Sequence, residues 1–290
     1  MHEKASPERL RQHVDKIAGA FVPRDYTHRD NLRLTTEYVH DHFTETEAFA
    51  VSYQPFYAES STYKNVTALL GSETEPRVVV GAHYDAAGPY PAADDNASGV
   101  AGLLELASLL ADNPPDGAVE FVAYCLEEPP FFFSKQMGSY VHAAALREEG
   151  IDVSAMISLE MIGYFSDEPD SQRFPLFFLK PFYPSEGNFI AVVGRLFDRR
   201  LVRTVRDAMR DGSSLPVESL NAPSVLPGVA FSDHLSYWRN RYPALMITDT
   251  AMFRNPHYHG PGDRPETLDY GRMAMVVDGV VAAVRALAEH

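Results

Sequence analysis

The chain has 290 residues, of which 45% are hydrophobic and 22% charged, so a sizeable core is available. Its formal net charge is −15. This charge argues against nucleic acid and against an anionic membrane surface as partners, because both require a basic patch. The single cysteine, Cys125, excludes an internal disulfide and a cysteine-based zinc cluster, and its apolar neighbours favour a buried, inert thiol.

The first quarter of the chain predicts two helices and then two strands. Ser6-Pro7-Glu8 has the pattern of a helix start, and a second helix is predicted from Arg29 to Phe43. Alternating and β-branched runs predict strands at 48–57 and 63–70. The first residues contain no apolar signal segment, and no stretch is long enough to span a bilayer, so we expect a cytoplasmic protein.

Strand, loop and helix then repeat from residue 78 onwards. Strands are predicted at 78–82, 119–124, 155–159, 189–193 and 243–248, and helices at 98–111, 138–149, 196–210 and 268–289. The pattern predicts one α/β domain over residues 1–290, a three-layer sandwich with a mixed, mostly parallel central sheet and helices on both faces. The segment 167–186, rich in proline and aromatic residues, is expected to form a lid or a pocket wall.

Histidine or carboxylate residues follow four of these strands. They are His83 and Asp85, Glu127 and Glu128, Glu160, and His257 and His259. A loop that carries Asp94 and Asp95 lies between the first of these strands and the next helix. Because ligands of open α/β sheets bind outside the carboxyl ends of the strands, we expect these side chains to meet at one edge.

The residue types favour a pair of zinc ions. Zinc binds imidazole nitrogen and carboxylate oxygen, and a catalytic zinc keeps one position open for water. Two metals about 3.5–4 Å apart need a shared ligand, and a carboxylate can bridge them. Two histidines and three carboxylates supply two such centres, and one more carboxylate is needed as a proton shuttle. The adjacent Glu127 and Glu128 offer one residue for each task.

The order of these motifs resembles a known family. His-x-Asp at 83–85, Asp-Asp-Asn-x-Ser-Gly at 94–99, Glu-Glu at 127–128, Leu-Glu-Met at 159–161 and Tyr-His at 258–259 are similar to the two-zinc exopeptidase family of bacterial leucyl aminopeptidases and glutamate carboxypeptidases. The resemblance covers most of the chain from Val78 onwards. It departs at Glu160, where many relatives have aspartate, and no known motif matches the region around 165–183.

The resemblance implies a role for each site residue. One zinc would be held by His83, Asp95 and Glu160, and the other by Glu128, Asp95 and His259, with Asp95 bridging. Glu127 would be the general base and acid, and Asp85 would accept a hydrogen bond from the far nitrogen of His83 and fix its tautomer. The family often has a cis peptide bond after the bridging aspartate, here at Asp95-Asn96.

A zinc-dependent exopeptidase acting on peptide substrates follows from the resemblance, with a metal-bridging water that Glu127 deprotonates. We favour the amino-terminal end, because a free amine suits an acidic site. A carboxypeptidase stays open, since Arg254 and Arg264 lie close to His259 in the sequence. A single-zinc acyltransferase similar to glutaminyl cyclases and a metal-free binding domain are further alternatives. Side-chain preference, the native metal and the oligomeric state are left open.

Several neighbouring residues have a more ordinary interpretation. Asp94 is expected to be a charge at a helix start, and His257 a packing neighbour of the ligand His259. His234, in the stretch Ser232-Asp233-His234, could line a pocket, as could Tyr258, Arg254 and Trp238. A serine-based triad is not expected there, because the sequence lacks a nucleophile elbow.

Overall fold

The computed structural model describes residues 3–73 and 76–289. Eight strands within these residues form one sheet, in the order β1-β2-β4-β3-β5-β8-β6-β7. The strands are β1 (Phe49–Ala58), β2 (Ser61–Leu70), β3 (Arg77–His83), β4 (Ala118–Tyr124), β5 (Val153–Glu160), β6 (Ile190–Arg195), β7 (Val217–Ala222) and β8 (Ala244–Thr248).

The four central strands of the sheet, β4, β3, β5 and β8, are parallel neighbours. The flanking pairs β1–β2, β2–β4 and β6–β8 are antiparallel, and β7 runs parallel to β6 at the far edge. The predicted fold class, a mixed and mostly parallel sheet, is therefore confirmed. The central four are also the strands that the predicted site residues follow, so their carboxyl ends lie side by side along one edge.

Helices cover both faces of the sheet. They are α1 (Pro7–Asp15), α2 (Arg29–Thr44), α3 (Gly99–Asp112), α4 (Gly138–Glu148), α5 (Arg199–Gly212), α6 (His234–Arg239) and α7 (Tyr270–Ala288). Side chains alternate between the faces along β3: Val78 and Val80 pack into the larger core with α3 and α7, and Val79 packs into a second core with α4 and α6. This double cover explains why residues 78–82 of the strand are all apolar. None of the described helices is long and apolar enough to cross a membrane.

Most predicted elements lie where the sequence placed them, but β7 and α6 were missed. Ser6 caps α1 as expected, since its Oγ accepts a hydrogen bond from the amide of Arg9 at 3.2 Å. The strand β7 lies at the edge of the sheet, and most of its side chains are half-buried, so it has no strong apolar pattern. The helix α6 is only six residues long, and five of them are buried. It therefore lacks the polar face that would reveal a helical period.

Candidate metal centre

Four of the predicted site residues lie at the carboxyl ends of three central strands. His83 is the last residue of β3 and Glu160 the last of β5, while Glu127 and Glu128 lie just beyond β4. Asp95 comes from the loop before α3. All five side chains are buried, none more than 8% exposed. The sixth, His259, lies beyond β8 with 32% of its side chain exposed.

Asp95 lies between the two histidines. Its Oδ1 is 3.5 Å from Nε2 of His83, and its Oδ2 is 3.1 Å from Nε2 of His259. Each carboxylate oxygen thus faces a different imidazole. This is the arrangement that a carboxylate shared by two metal ions requires.

Each histidine has a second carboxylate of its own. Oε2 of Glu160 lies 3.3 Å from Nε2 of His83, and Oε1 of Glu128 lies 3.4 Å from Nε2 of His259. In each group of three residues, the possible ligand atoms lie within 4.8 Å of one another. The residues predicted to hold the two metals are therefore close together in the groups that the resemblance implies.

The donors present fit bound zinc. Nε2 of His83 and Oε1 of Glu128 are buried and have no hydrogen-bond partner in residues 3–73 and 76–289. A buried polar atom without a partner costs about 1–3 kcal/mol, so such atoms need a ligand. Imidazole nitrogens and carboxylate oxygens are the donors that zinc binds in proteins, and the buried carboxylates require positive charge.

The pKa values show how strongly these groups interact. Burial opposes protonation of His83, but the carboxylates of Glu160 and Glu127 outweigh it and raise the His83 pKa well above its usual value. For His259, burial is likewise outweighed by the neighbouring carboxylates of Asp95 and Glu128, which raise its pKa to about 10. Burial and the neighbouring Asp95 raise the pKa of Glu128 to about 7. Negative charge therefore dominates the cluster.

Glu127 lies beside these two groups of predicted ligands, the candidate metal-binding groups, with Oε2 at 3.9 Å from Nε2 of His83. Burial raises its pKa well above the usual range; His83 opposes this shift, and Glu128 and Glu160 add to it. Glu127 also forms a group of nearby donors with His83 and Glu128, so proximity alone does not separate the two glutamates.

Asp85 holds the backbone of both glutamates in place. Its Oδ1 accepts the amide of Glu127 and its Oδ2 the amide of Glu128, each at 3.1 Å. Nδ1 of His83 lies 3.2 Å from the backbone carbonyl oxygen of Asp85 and 3.6 Å from its carboxylate. The carbonyl oxygen of Asp85 is thus the nearer acceptor for Nδ1 of His83. The carboxylate of Asp85, which was the expected acceptor, instead bonds to the two amides just beyond β4.

The loop that carries Asp95 is fixed by two residues to which the sequence analysis gave no role. Asp263 accepts hydrogen bonds from the amides of Asp94 and Asp95 at 2.9 and 3.1 Å. Oδ1 of Asn96 accepts the amide of Met161 at 3.0 Å. The peptide bond Asp95-Asn96 is cis, as the resemblance implied. Asp263 follows His259 by four residues, and this short spacing is the one feature of the sequence that links Asp263 to the site.

A fully buried arginine, Arg24, was also missed. It donates hydrogen bonds to the carbonyl oxygens of Tyr84, Pro91 and Ala92, and so ties together the beginning and the later part of the loop that carries Asp85 and Asp95. Burial lowers the pKa of Arg24 to about 10, and nearby carboxylates, Asp263 first, oppose that shift. A single arginine in a loop carries no sequence pattern from which this role could be read.

A serine pair supports Glu160, the residue that departs from the family pattern. Oγ of Ser232 donates to Oε2 of Glu160 at 2.7 Å, and Oγ of Ser158 lies 2.7 Å from Oγ of Ser232. Both serines are fully buried. These contacts hold the glutamate side chain, which is longer than the aspartate of many relatives, in one orientation at the end of β5.

Replacing Ser232 with alanine should weaken zinc binding by about 10- to 100-fold, because the loss of a hydrogen bond to a ligand usually has that effect. Competition for zinc with a chelator measures the change, and the exposed Ser214→Ala is the matched control. Equal zinc affinity in Ser232→Ala and the wild type would contradict this role.

The remaining candidates lie outside the metal-binding groups. Asp94 is buried and accepts the amide of Gly163 at 3.0 Å and Nδ2 of Asn255 at 2.8 Å, so it supports the backbone. His234 is fully buried, with Nε2 at 2.8 Å from the carbonyl oxygen of Val229. Its neighbour Trp238 donates to the carbonyl oxygen of Ala244.

Two further candidates lie close to His259, the predicted ligand. The ring of Tyr258 stacks on that of His259 at 3.9 Å between centroids, and Tyr258 lines a cleft beside the metal-binding groups. His257 instead contacts the ring of Tyr164 edge to face. Of the two, only Tyr258 lines this cleft.

An apolar cleft opens beside Glu160 and Tyr258. It encloses about 830 Å³, including its open mouth. Its apolar walls include Phe174, Phe189, Val193, Phe231, Met246 and Phe253. The segment 167–186 contributes Phe174, Leu179 and Tyr183 to the wall, so this segment forms a pocket wall, as expected.

Comparison with known proteins identifies the family of the chain. The model of peptidase family M28 matches residues 65–284. The uncharacterized protein YfbL of Escherichia coli K12 is 47% identical over 285 residues, which cover 96% of this chain and 87% of YfbL. The probable leucine aminopeptidase 1 of Trichophyton verrucosum is 28% identical over 83% of this chain, and this chain spans 61% of that protein.

Solved structures show the same fold. The LapA aminopeptidase of Legionella pneumophila aligns with a TM-score of 0.79 and 20% identity, covering 99% of this chain and 73% of LapA. The glutaminyl cyclase of Bacteroides thetaiotaomicron aligns with a TM-score of 0.71 and 17% identity, covering 98% and 99%. Structures this distant in sequence show the fold alone. The family match and the 47% identity to YfbL together show that the chain belongs to peptidase family M28.

Proposed function

We propose that this protein is a zinc-dependent aminopeptidase that holds two zinc ions and hydrolyses the N-terminal peptide bond of peptides. The observation that carries the proposal is the position of Asp95, with one oxygen facing His83 and the other facing His259. His83, Asp95 and Glu160 would hold one ion, and Glu128, Asp95 and His259 the other. When bound, the pair would supply Lewis acidity that lowers the pKa of water and polarises the scissile carbonyl.

Glu127 would move the proton. It lies at the edge of the cluster, and its raised pKa suits a group that accepts a proton from water and returns it to the leaving amine. Asp85 would keep Glu127 in place through the backbone amide of that residue. Burial of the cluster limits access of bulk water to the reacting groups.

The surroundings of the site favour the amino end of the peptide. Buried carboxylates attract the free α-amine, whereas a terminal carboxylate would need a cation in the cleft. Arg254 is buried, with Nε donating to Gln172 at 3.0 Å and its guanidinium 4.6 Å from the centre of the Phe189 ring. Arg264 donates to the carbonyl oxygen of Pro261 on the exposed side. Arg173 is the arginine that lines the cleft, and its Nη2 donates to the carbonyl oxygen of Met252 at 3.1 Å. All three arginines therefore have hydrogen-bond partners within the protein.

A glutaminyl cyclase-like acyltransferase with one zinc is the second candidate, because cyclases share the fold. Metal content and substrates separate the two. We expect about two zinc ions per chain, hydrolysis of leucyl-4-nitroanilide, and no hydrolysis of its N-acetylated form. One zinc per chain in a preparation that cyclises N-terminal glutamine would refute the aminopeptidase. Release of C-terminal residues from N-acetylated peptides would instead support a carboxypeptidase.

A further inference from the structure

The apolar cleft crosses the sheet from the metal-binding groups to the edge strand β7. The strand register pairs Glu160 with Thr248, Thr248 with Ala191, and Ala191 with Glu218. Paired residues present their side chains on the same face, and all four line the cleft. One row of side chains therefore runs from a metal-site carboxylate to a second carboxylate, with two small residues between them.

This row is longer than a leucine side chain requires. Three strand spacings of about 4.8 Å place the Cα atoms of Glu160 and Glu218 about 14 Å apart. Five bonds of about 1.5 Å put the ammonium of an extended lysine roughly 6 Å from its Cα, whereas leucine ends after three bonds. The length of the Glu218 side chain, together with a substrate Cα placed a few bond lengths from that of Glu160, would account for the remaining distance.

The middle of the cleft suits an aliphatic stem. The next row of paired residues is Met246, Val193 and Leu220, all apolar, and Phe174 and Leu179 of the segment 167–186 also line the cleft. Methylene groups passing over this surface would be removed from water, which is favourable. A long side chain with a polar end could bury its stem here and keep its end group at the rim.

The carboxylate at the far end is available to a ligand. Glu218 is 28% exposed at its side chain and accepts no hydrogen bond from any residue that the structure describes. Its nearest cation, Nη2 of Arg210, is 3.9 Å away, and Nε of Arg210 donates to the carbonyl oxygen of Val217 at 2.9 Å. Arg173 also lines the cleft, and its Nη2 donates to the carbonyl oxygen of Met252 at 3.1 Å.

We propose that the cleft selects peptides whose N-terminal residue is lysine or arginine, with Glu218 binding the cationic end of the side chain. The inference rests on the proposed aminopeptidase function. A charge-assisted hydrogen bond to Glu218 would stabilise a bound cationic side chain. An apolar side chain of the same length would bind less favourably, because it would desolvate Glu218 without replacing its hydrogen bonds to water. The net charge of −15 adds a general attraction for cationic peptides.

The test compares kcat/KM of the zinc-loaded enzyme for the 4-nitroanilides of lysine, arginine, norleucine, leucine and glutamate. Lysine should exceed norleucine in the wild type, because the two side chains differ mainly in the charged end. The isosteric Glu218→Gln should lower the ratio of lysine to norleucine by about tenfold or more, the effect of one lost charge-assisted hydrogen bond in the transition state. Glu149→Gln, exposed at the end of α4, should leave this ratio and the activity unchanged.

A second variant guards against misfolding. Glu218→Asp keeps the charge one methylene shorter and should retain part of the lysine preference. An unchanged ratio in folded Glu218→Gln, or a wild type that prefers norleucine or glutamate, would overturn the inference. If leucine and norleucine are hydrolysed and lysine is not, the cationic preference fails and the aminopeptidase stands. If no aminoacyl substrate is hydrolysed, both proposals fail.

Discussion

Replacing Glu127 with glutamine is expected to lower kcat for peptide hydrolysis by roughly 10²- to 10⁴-fold, the usual contribution of a general acid–base group. Glutamine has the same size but cannot accept a proton from water and return it to the leaving amine. Zinc content should remain that of the wild type, because both proposed ligand sets are complete without Glu127. Steady-state kinetics on leucyl-4-nitroanilide, with metal analysis of the same preparation, measures both effects.

The matched control is Glu128→Gln, in the adjacent residue. Both carboxylates are buried and both backbone amides bond to Asp85, so the two variants perturb the same local structure. Glu128→Gln should lose zinc from the group that contains His259. Loss of zinc in Glu127→Gln would mean that the roles of the glutamates are exchanged. Retained activity in that variant would remove Glu127 from the mechanism.

Replacing Asp95 with asparagine should affect both metal positions at once. An amide cannot offer two anionic oxygens, so the oxygens that face His83 and His259 are no longer equivalent donors. We expect zinc to fall below about one ion per chain and kcat/KM to fall by about 10³-fold or more, since each ion contributes several kcal/mol to the transition state. Metal analysis after dialysis and kinetics at saturating zinc measure these effects.

The histidine variants make the Asp95 experiment specific. His83→Ala and His259→Ala should each weaken one position, whereas Asp95→Asn should weaken both. Two zinc ions retained in Asp95→Asn would refute the bridging role. If every variant, and the wild type, held a single zinc, the single-zinc alternative would become the better description.

The sequence was sufficient for the parts of the site that lie at strand ends. A run such as 78–82 is apolar throughout because the strand is covered on both faces, and His83 interrupts that run abruptly. The same contrast reveals Glu127, Glu128 and Glu160. The alternation of strands and helices predicts that these strands are parallel neighbours. Their carboxyl ends must then share one edge of the sheet, so the sequence pattern predicts that these residues lie close together.

The supporting residues could not be predicted in this way. Arg24, Asp263 and Ser232 act through contacts with residues 60 or more positions away, and no local period or motif encodes such contacts. Asp85 illustrates the same limit, because its carboxylate bonds to the end of the next strand and its carbonyl oxygen is the nearer acceptor for His83. The edge strand β7 and the largely buried helix α6 were missed because burial there is not periodic.

By itself, the sequence of this protein determined an α/β sheet, the strands that end at the site, and the family that its motifs resemble. These depend on hydrophobic periodicity and on polar residues at fixed positions after strands, which are local properties. Only the tertiary structure decided which oxygen of Asp95 faces which histidine, what holds the ligand loops, and where the cleft ends. Those depend on strand register, which brings Glu160 and Glu218 into one row although 58 positions separate them in the chain.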